Sequence, residues 1–365
     1  MPEIQFKGKE FVFNHHLSVP YRPLAPHKKK SIGEGNINDN LIVHGDNLHA
    51  LKALMPMYAG KIDCIFIDPP YNTGNEGWAY SDNVNSQMIK DWLNSNPVNK
   101  DDMLRHDKWL AMMYPRIKLL HELMSDDGII YVCIGDDEQH RLRAMLDEIF
   151  GENNFVACFV WQSRAKPTNI GEAKLKPQND AEYIFAYEKV KERAKFNLVN
   201  SGFARSYPHK DKDGNYRLQT ILKSNRGENK RETMRDTIAG YTPPPDQRWQ
   251  GGKDFIQGLY DSNRLEFREG TPFRKYYEHE ENDEHAPFYC FVSRDNSSTA
   301  EAGKVYLNQV VGNQHDFDTV KPIEIVEYLI KRSTKANSIV LDSFAGSGTT
   351  GHAVLNLNSK DNAQR

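Results

Sequence analysis

The sequence predicts an α/β fold of the doubly wound, Rossmann-like type, in which a mostly parallel sheet carries helices on both faces. Residues 62–67 and 129–134 form short, nearly continuous apolar runs, which are typical of parallel strands buried on both faces. Residues 104–124 and 138–150 carry apolar residues at intervals of three and four, which indicates amphipathic helices. Strand and helix therefore alternate along the chain, as a parallel sheet requires.

The remaining predicted elements come from shorter patterns. In chain order they are a strand at 41–44, a helix at 48–54, strands at 155–161 and 182–187, a helix around 325–329, a strand at 338–341 and a helix at 351–357. The two runs at 155–161 and 182–187 are rich in residues that favour β structure. We expect them to close one edge of the sheet, with the second antiparallel to the rest.

Changes in composition divide the chain into four predicted segments. Residues 1–40, with Pro20, Pro23 and Pro26, look like an irregular N-terminal arm. The first half of the core, an insertion and the second half of the core are expected at 41–195, 196–312 and 313–365. Turn residues and interspersed aromatic residues mark the insertion.

Bulk properties bound the kind of protein this is. With 365 residues and 38% hydrophobic content, the chain is large enough to bury a full core. Its formal net charge of -3 excludes a uniformly basic nucleic-acid coat. Residues 205–236 nevertheless hold nine Lys/Arg against five acids, and we call this stretch the basic segment. Any affinity for nucleic acid must come from such local patches.

Compartment and metal content follow from simple signals. The four cysteines form no Cys-x-x-Cys pair, residues 1–10 contain no apolar signal region, and no run of 18 apolar residues occurs. We therefore expect a cytoplasmic protein. The stretch His279 to His285 is rich in acids and raises the question of a metal site, but an exposed acidic loop is the expected structure. No metal is predicted.

The tetrapeptide Asp68-Pro69-Pro70-Tyr71 follows the apolar run 62–67, at the edge of the sheet where open α/β folds bind ligands. An exocyclic amine of a nucleobase is a poor nucleophile, because its lone pair is conjugated with the ring. The Asp68 carboxylate and the Pro69 carbonyl can each accept one of its N–H groups, and Tyr71 can stack on the base. Pro70 helps to stiffen this turn. Asp-Pro alone would be read as an ordinary turn, but the whole tetrapeptide favours catalysis on a flipped base.

A glycine turn at residues 344–350, Phe-Ala-Gly-Ser-Gly-Thr-Thr, joins a predicted strand to a helix. Such a turn lets the backbone approach a ligand closely, while the helix N–H groups face an anion. Gly346, Gly348 and Gly351 also satisfy the spacing of a dinucleotide-binding turn, which keeps a nucleotide-dependent oxidoreductase as a distant alternative. A dinucleotide fold has no use for the tetrapeptide at Asp68.

Together these motifs resemble the β-class amino-methyltransferases of DNA, in which the catalytic tetrapeptide precedes the cofactor loop and a target-recognition domain lies between them. Within that class the chain is most similar to the Mod subunits of type III restriction-modification systems, over roughly residues 40 to 360. The resemblance is carried by four stretches: His44-Gly45-Asp46-Asn47-Leu48, residues 67–74 around the tetrapeptide, Phe317-Asp318-Thr319-Val320-Lys321-Pro322, and residues 342–351.

The resemblance implies S-adenosyl-L-methionine as cofactor. Phe344, Gly346 and Gly348 would line its methionine end, Lys321 would reach its carboxylate, and Asp46 would lie beside its adenine. The predicted cofactor-binding set is completed by Asp342, Ala345, Ser347 and Thr349. Two of these residues have simpler interpretations, since Lys321 can be a solvated lysine and Asp46 a helix N-cap.

The predicted function is therefore transfer of a methyl group to N6 of a flipped adenine in duplex DNA. An aspartate at position 68, where cytosine-N4 enzymes usually have serine, favours adenine. A cytosine-N4 methyltransferase and a truncated, inactive DNA-binding remnant are the alternatives. The insertion would recognise the target, with the basic segment contacting DNA, although that segment can also be merely a solvated surface. The resemblance further implies a homodimer and a restriction subunit with helicase and nuclease activities.

One departure from the family concerns the end of the sequence. In the family, the helix after the cofactor loop leads to a strand with an acidic residue that hydrogen-bonds the ribose. Here residues 351–357 supply the helix and 358–365 a polar turn, so the ribose acid has no candidate. We expect a truncated chain that binds the cofactor weakly, with a gap or an unpaired edge in the sheet.

Overall fold

The structure is a computed structural model that describes residues 3–32, 36–74, 104–166, 171, 174–200, 205–227, 230–281 and 285–365. Parts of the predicted segments lie outside the described residues: positions 1–2 and 33–35 of the N-terminal arm, 75–103, 167–170 and 172–173 of the first half of the core, and 201–204, 228–229 and 282–284 of the insertion. The chain forms two compact units. The core unit comprises Met1–Leu198 and Phe288–Arg365, and the inserted unit comprises Val199–Pro287.

The core unit contains helices of very different length. Their bounds are Lys9–Val12 (α1), His15–Ser18 (α2), Asn47–Tyr58 (α3), Arg105–Leu123 (α4), Gln139–Phe150 (α5), Ala300–Val311 (α7), Ile323–Ser333 (α8) and Thr349–Asp361 (α9). The periodic patterns predicted α4 and α5 to within a residue at each end. Among the residues that the structure describes, no helix combines the length and the apolar composition needed to span a bilayer.

The strands of the core unit form one sheet. Their bounds are Ile62–Ile67 (β1), Met124–Ile134 (β2), Phe155–Trp161 (β3), Glu182–Glu188 (β4), Phe291–Val292 (β11) and Val340–Leu341 (β12). The order is β11-β3-β4-β2-β1-β12. Strand β1 pairs in parallel with β2 and β12, whereas β4 is antiparallel to both β2 and β3. The predicted α/β fold with a mostly parallel sheet is confirmed, and the run predicted at 182–187 forms the antiparallel strand β4.

Apolar side chains cover both faces of this sheet, as a doubly wound fold requires. Alternate residues of β1 point to opposite faces, so Ile65 packs in one core cluster and Phe66 in the other. The first cluster is covered by α3, α4 and α5, and the second by α8 and α9. Because β1, β2 and β12 run parallel, their carboxyl ends lie at one edge of the sheet.

Two local predictions differ from the structure. The strand predicted at 41–44 is wrong: this stretch pairs with no strand among the described residues, and Ile42 is fully exposed. A strand needs a neighbour that pairs with its backbone N–H and C=O groups. In the described part of the chain the edge strand β12 pairs only with β1, so residues 41–44 have no strand beside them. The predicted irregular arm contains α1 and α2, and Val12 and Val19 are buried in the core.

The inserted unit is built around a small antiparallel sheet. Its elements are β5 (His209–Asp211), β6 (Gly214–Thr220), β7 (Leu222–Ser224), β8 (Gln247–Trp249), α6 (Lys253–Asp261), β9 (Leu265–Arg268) and β10 (Thr271–Tyr277). The sheet order is β5-β6-β10-β9, and β7 pairs with β8 in a separate ribbon. The unit ends at Pro287, not at the predicted residue 312, because β11 and α7 belong to the core unit and Val292 is fully buried there.

Candidate active site

The candidate site begins at the carboxyl end of β1, where the apolar strand stops at Asp68. The side chain of Asp68 forms an ion pair with Lys321, whose Nζ lies 3.0 Å from Oδ1 of Asp68. Lys321 precedes α8, and the N-terminus of that helix lies at the same edge of the sheet because α8 leads into the parallel strand β12. The topology therefore brings together two residues that the sequence predicted for different roles.

A second carboxylate, that of Glu182, lies on the other side of Lys321. Glu182 is the first residue of β4, and its Oε2 is 3.1 Å from Nζ of Lys321. The side chains of Lys321 and Glu182 are 12% and 18% exposed, whereas that of Asp68 is 32% exposed. One ammonium is thus shared by two carboxylates, and the more accessible of the two is Asp68.

Tyr71 is held by the same group of residues. Its hydroxyl donates to Oε2 of Glu182 at 2.8 Å. Nζ of Lys321 lies over its ring, 4.8 Å from the centroid. Gly135, directly after β2, packs against the ring so closely that a Cβ at this position would lie 2.9 Å from Cδ2 of Tyr71. These contacts fix the ring beside Asp68, while the predicted stacking on a base stays a prediction.

The electrostatics of this cluster follow from burial and from the shared ammonium. Burial raises the pKa of Asp68 above its ordinary value, and the negative charge of Glu182 acts in the same direction, while Lys321 opposes both. Burial also acts to raise the pKa of Glu182, but the ion pair with Lys321 and the Tyr71 hydrogen bond outweigh it, so this pKa is lowered. Burial disfavours the charged form of Lys321, yet the two carboxylates hold its pKa above the usual range.

The prolines of the tetrapeptide differ in how their carbonyl groups are used. The indole Nε1 of Trp109, on α4, donates to the Pro70 carbonyl at 2.7 Å and ties the turn to the core. Within the described ranges, no donor reaches the carbonyl of Pro69, although this residue is buried. The turn is therefore rigid, and it keeps one carbonyl next to Asp68 for another partner.

The predicted cofactor loop lies between β12 and α9. Asp342 accepts hydrogen bonds from the Phe344 N–H at 2.9 Å and from the Thr350 hydroxyl at 2.6 Å, which closes the loop on itself. Burial raises the pKa of Asp342 to about 6. Gly346 and Gly348 have φ angles of 49° and 80°, in the left-handed region that favours glycine. These two positions need glycine for the shape of the turn itself.

Backbone contacts connect the loop to the catalytic turn through Lys321. The Thr349 hydroxyl donates to the Lys321 carbonyl at 3.3 Å, while the ammonium of the same lysine contacts Asp68. A cavity of about 650 Å³ lies against this junction. Its walls are mainly α7, α8 and α9, and they include four of the predicted residues, Lys321, Ser347, Gly348 and Thr349.

Asp46 forms the N-cap of α3, which was the simpler of its two interpretations. Its Oδ1 accepts from the His49 N–H at 3.1 Å, and its Oδ2 lies 3.4 Å from Arg116. The next residue, Asn47, donates through Nδ2 to the Ser343 carbonyl at 3.1 Å, which holds this helix terminus against the cofactor loop. Asp46 therefore lies close to the loop, and its contact with a cofactor stays a prediction.

Several residues of this site were not found from the sequence: Glu182, Gly135 and Trp109. A signal for Glu182 was present, since an antiparallel strand that begins at 182 must start at the edge where β1 ends. For Gly135, the sequence indicated only that it directly follows a buried strand. Trp109 looked like one more apolar residue of α4, and its indole N–H contact with the turn depends on packing.

The basic segment lies in the inserted unit, and nearly half of its basic residues form ion pairs. Arg205, Arg217, Arg226 and Arg235 pair with glutamate or aspartate at 2.5 to 2.8 Å. In the described part of the chain, Lys210, Lys212, Lys223, Lys230 and Arg231 have no acidic partner within 4.0 Å, and all five are exposed. The charge that remains for a ligand is therefore smaller than the sequence count suggests.

Comparison with known proteins gives consistent relatives. The chain is 30% identical to the Mod subunit of the type III restriction-modification enzyme StyLTI of Salmonella typhimurium, over 100% of this chain and 57% of that protein. It is 30% identical to the EcoP15I Mod subunit of Escherichia coli, over 94% of this chain and 60% of that protein. It is 27% identical to the type II methyltransferase M.KpnI of Klebsiella pneumoniae, over 92% of this chain and 81% of that protein. The chain thus spans less than two thirds of the Mod subunits.

Solved structures with a similar chain trace include the PvuII DNA methyltransferase, described as cytosine-N4-specific, with a TM-score of 0.43, 12% identity and coverage of 84% of this chain and 76% of that one. Independently of structure, residues 62–360 match the N6_N4_Mtase family model, which is described as a DNA methylase. This match includes the tetrapeptide, the inserted unit and the cofactor loop. The chain therefore belongs to the N6/N4 DNA methylase family.

Proposed function

We propose that this chain transfers a methyl group from S-adenosyl-L-methionine to N6 of an adenine flipped out of duplex DNA, as the modification component of a type III restriction-modification system. The observation that carries the proposal is the position of Asp68. Its carboxylate lies at the carboxyl end of β1, beside Tyr71, and Lys321 joins it to the cofactor loop through an ion pair and a backbone hydrogen bond. The names of the relatives support the type III assignment.

The residues of the turn would activate the amine of the target base. The Asp68 carboxylate accepts one N–H of the amine and the Pro69 carbonyl accepts the other, which draws the nitrogen toward a tetrahedral geometry. Both acceptors are available, because Asp68 is more accessible than Lys321 and Glu182 and the Pro69 carbonyl has no donor among the described residues. Asp68 would also accept the proton that the amine gives up on methylation.

The cofactor loop fits the methionine end of S-adenosylmethionine. A Cβ added at Gly348, the N-cap residue of α9, would meet no atom within 4 Å, so there is open space next to the start of this helix. The first N–H groups of a helix have no partner within the helix and suit a carboxylate. Residues 344–349 would hold this end, with Asp342 shaping the loop. When bound, S-adenosylmethionine supplies the electrophilic methyl group.

To bind the cofactor carboxylate, the Lys321 ammonium would have to contact a third carboxylate. It already lies between Asp68 and Glu182, and a third carboxylate would leave the cluster with a formal charge of -2. The helix N-terminus is therefore the stronger anion site of the two, and the direct contact with Lys321 stays a prediction.

The inserted unit would contact DNA, and its β7–β8 ribbon offers the best-supported contact. Lys223 and Arg248 are directly opposite each other in this ladder, an arrangement of like charges that destabilises a sheet. Within the described residues neither has an acidic partner within 4.0 Å, and Lys223 is exposed while Arg248 is half-buried. A bound phosphate would offset the repulsion between the two cations. The Mod names support a second, restriction subunit as partner, whereas a homodimer stays a prediction.

The experiment that tests the proposal identifies the methylated nucleoside. The full chain is incubated with DNA that lacks methylation and with S-adenosylmethionine labelled in the methyl group, and the DNA is digested to nucleosides and separated. We expect label in N6-methyldeoxyadenosine. Label in N4-methyldeoxycytidine would show the other target of the family. A chain that shifts a DNA duplex but transfers no label would be a DNA-binding remnant.

Variants at Asp68 link the product to the proposed site. Asp68→Ala should reduce transfer by about a thousandfold or more, because the acceptor that activates the amine is lost. Asp137→Asn is the matched control, since this exposed carboxylate follows β2 at the same edge of the sheet. It should transfer at the wild-type rate. Equal activity of Asp68→Ala and wild type would exclude the proposed mechanism.

A further inference from the structure

Glu182 has no predicted role, yet it is the residue that joins the two neighbours of Asp68. Because β4 runs antiparallel to β2 and β3, its first residue lies at the edge where β1 ends. A single oxygen of Glu182, Oε2, accepts from the Tyr71 hydroxyl at 2.8 Å and contacts Nζ of Lys321 at 3.1 Å. Removing this oxygen would release both residues at once.

The shared ammonium explains why a second carboxylate is useful beside Asp68. In a simple pair, Lys321 would neutralise Asp68 and weaken it as an acceptor for the amine of the base. With Glu182 at 3.1 Å and Asp68 at 3.0 Å, the ammonium is divided between two carboxylates. The Asp68 carboxylate is then less completely neutralised by the ammonium. Glu182 also fixes the phenol of Tyr71, whose ring lies beneath the same ammonium.

We infer that Glu182 is a positioning residue for methyl transfer, which holds the phenol of Tyr71 and the ammonium of Lys321 next to Asp68. This inference rests on the proposed function of Asp68. Glu182 acts through these two neighbours and need not touch the substrate. Its charge and its reach are separate properties, and each can be removed by a different substitution.

The test compares two variants by their pH–rate profiles in the methyl-transfer assay. Glu182→Gln keeps the volume and an acceptor for Tyr71 but removes the charge. Asp68 works as a carboxylate, so the rate falls as the pH drops through its pKa, and Glu182 contributes to raising that pKa. The acid limb of the Glu182→Gln profile should therefore move to lower pH. The value of kcat should fall about tenfold or more, because the Lys321 ammonium then pairs with Asp68 alone.

Glu182→Asp keeps the charge but is shorter by one methylene group. Its acid limb should stay near the wild-type position, while kcat falls because one carboxylate no longer reaches both Tyr71 and Lys321. Glu188→Gln is the control for the same substitution in the same strand. Glu188 ends β4, where it accepts from the N–H groups of Glu192 and Ala194 at 2.7 and 3.1 Å. This control should leave kcat and the acid limb unchanged.

The outcomes separate the inference from the proposed function. Wild-type protein that transfers no methyl group would overturn the proposed function, and the inference with it. An active wild type with a folded Glu182→Gln variant of equal kcat and equal acid limb would overturn the inference alone. If Glu182→Gln loses its cooperative thermal transition, Glu182→Asp decides: an unchanged kcat overturns the inference, and a reduced kcat with an unmoved acid limb supports it.

Discussion

The ammonium of Lys321 lies 3.0 Å from the carboxylate of Asp68, although the whole inserted unit separates the two residues in the sequence. This contact joins the two halves of the core at the edge of the sheet. It has consequences for stability as well as for chemistry, because both side chains are at least two-thirds buried.

Replacing Lys321 by methionine should destabilise the protein strongly. The substitution leaves Asp68 and Glu182 close together without their cation, and we expect a loss of about 2 to 4 kcal/mol in the free energy of unfolding at pH 8. In the variant both carboxylates have pKa values raised above those of the unfolded chain. Stability is then lost as the pH rises through these values, so the deficit should be smaller at pH 5 than at pH 8.

Urea unfolding of both proteins at the two pH values measures this effect. Lys335→Met is the matched control, because Lys335 and its partner Asp127 are 69% and 51% exposed. An exposed pair contributes at most about 1 kcal/mol, so the control should change little. A deficit of Lys321→Met that is the same at pH 5 and pH 8 would contradict the charge argument.

Gly135→Ala should disturb the site through Tyr71. The added Cβ would lie 2.9 Å from Cδ2 of the ring, so the ring must move away from its place beside Asp68. We expect a loss of about 1 to 3 kcal/mol in stability and a larger relative loss in methyl transfer. Gly258→Ala, in α6 with no atom within 4 Å of the new Cβ, should instead gain about 0.5 to 1 kcal/mol. Full activity of Gly135→Ala would show that the ring position is unimportant.

Asp342 should make the stability of the protein depend on pH in the acid range. Burial raises its pKa to about 6, above the value of about 3.9 in an unfolded chain. The folded state therefore loses stability as the pH rises from about 4 to about 6, and the loss persists above pH 6. In Asp342→Asn this dependence should disappear. Relative to wild type, the variant should improve by up to about 3 kcal/mol across this range, as measured by urea unfolding. Parallel pH curves for the two proteins would contradict this assignment.

The β7–β8 ribbon should account for part of the salt dependence of DNA binding. Each phosphate contact that is removed should reduce the slope of log affinity against log salt by about one. Lys223→Gln and Arg248→Gln should each show this change across several DNA sequences. Arg268→Gln is the control in the same unit, since Arg268 is already paired with Glu266 at 2.8 Å. Unchanged slopes for both ribbon variants would exclude this surface.

Features that depend on short stretches of chain could be predicted from the sequence. The apolar run of β1 and the polar tetrapeptide after it fixed where a buried strand ends, because burial on both faces requires continuous apolar residues. The helices α4 and α5 followed from their apolar periodicity, and the glycine turn at Gly346 and Gly348 followed from backbone conformations that other residues disfavour. Each of these features is encoded by neighbours in the sequence.

What the tertiary structure alone decided is which distant residues meet. The antiparallel direction of β4 carries Glu182 to Asp68, and the order of the strands carries Lys321 between them. The strand predicted at 41–44 was wrong, since a strand forms only where a neighbour can accept its hydrogen bonds. Likewise, β11 joins the core because β3 offers an edge for pairing. Such contacts depend on the arrangement of the whole sheet, and no local pattern encodes them.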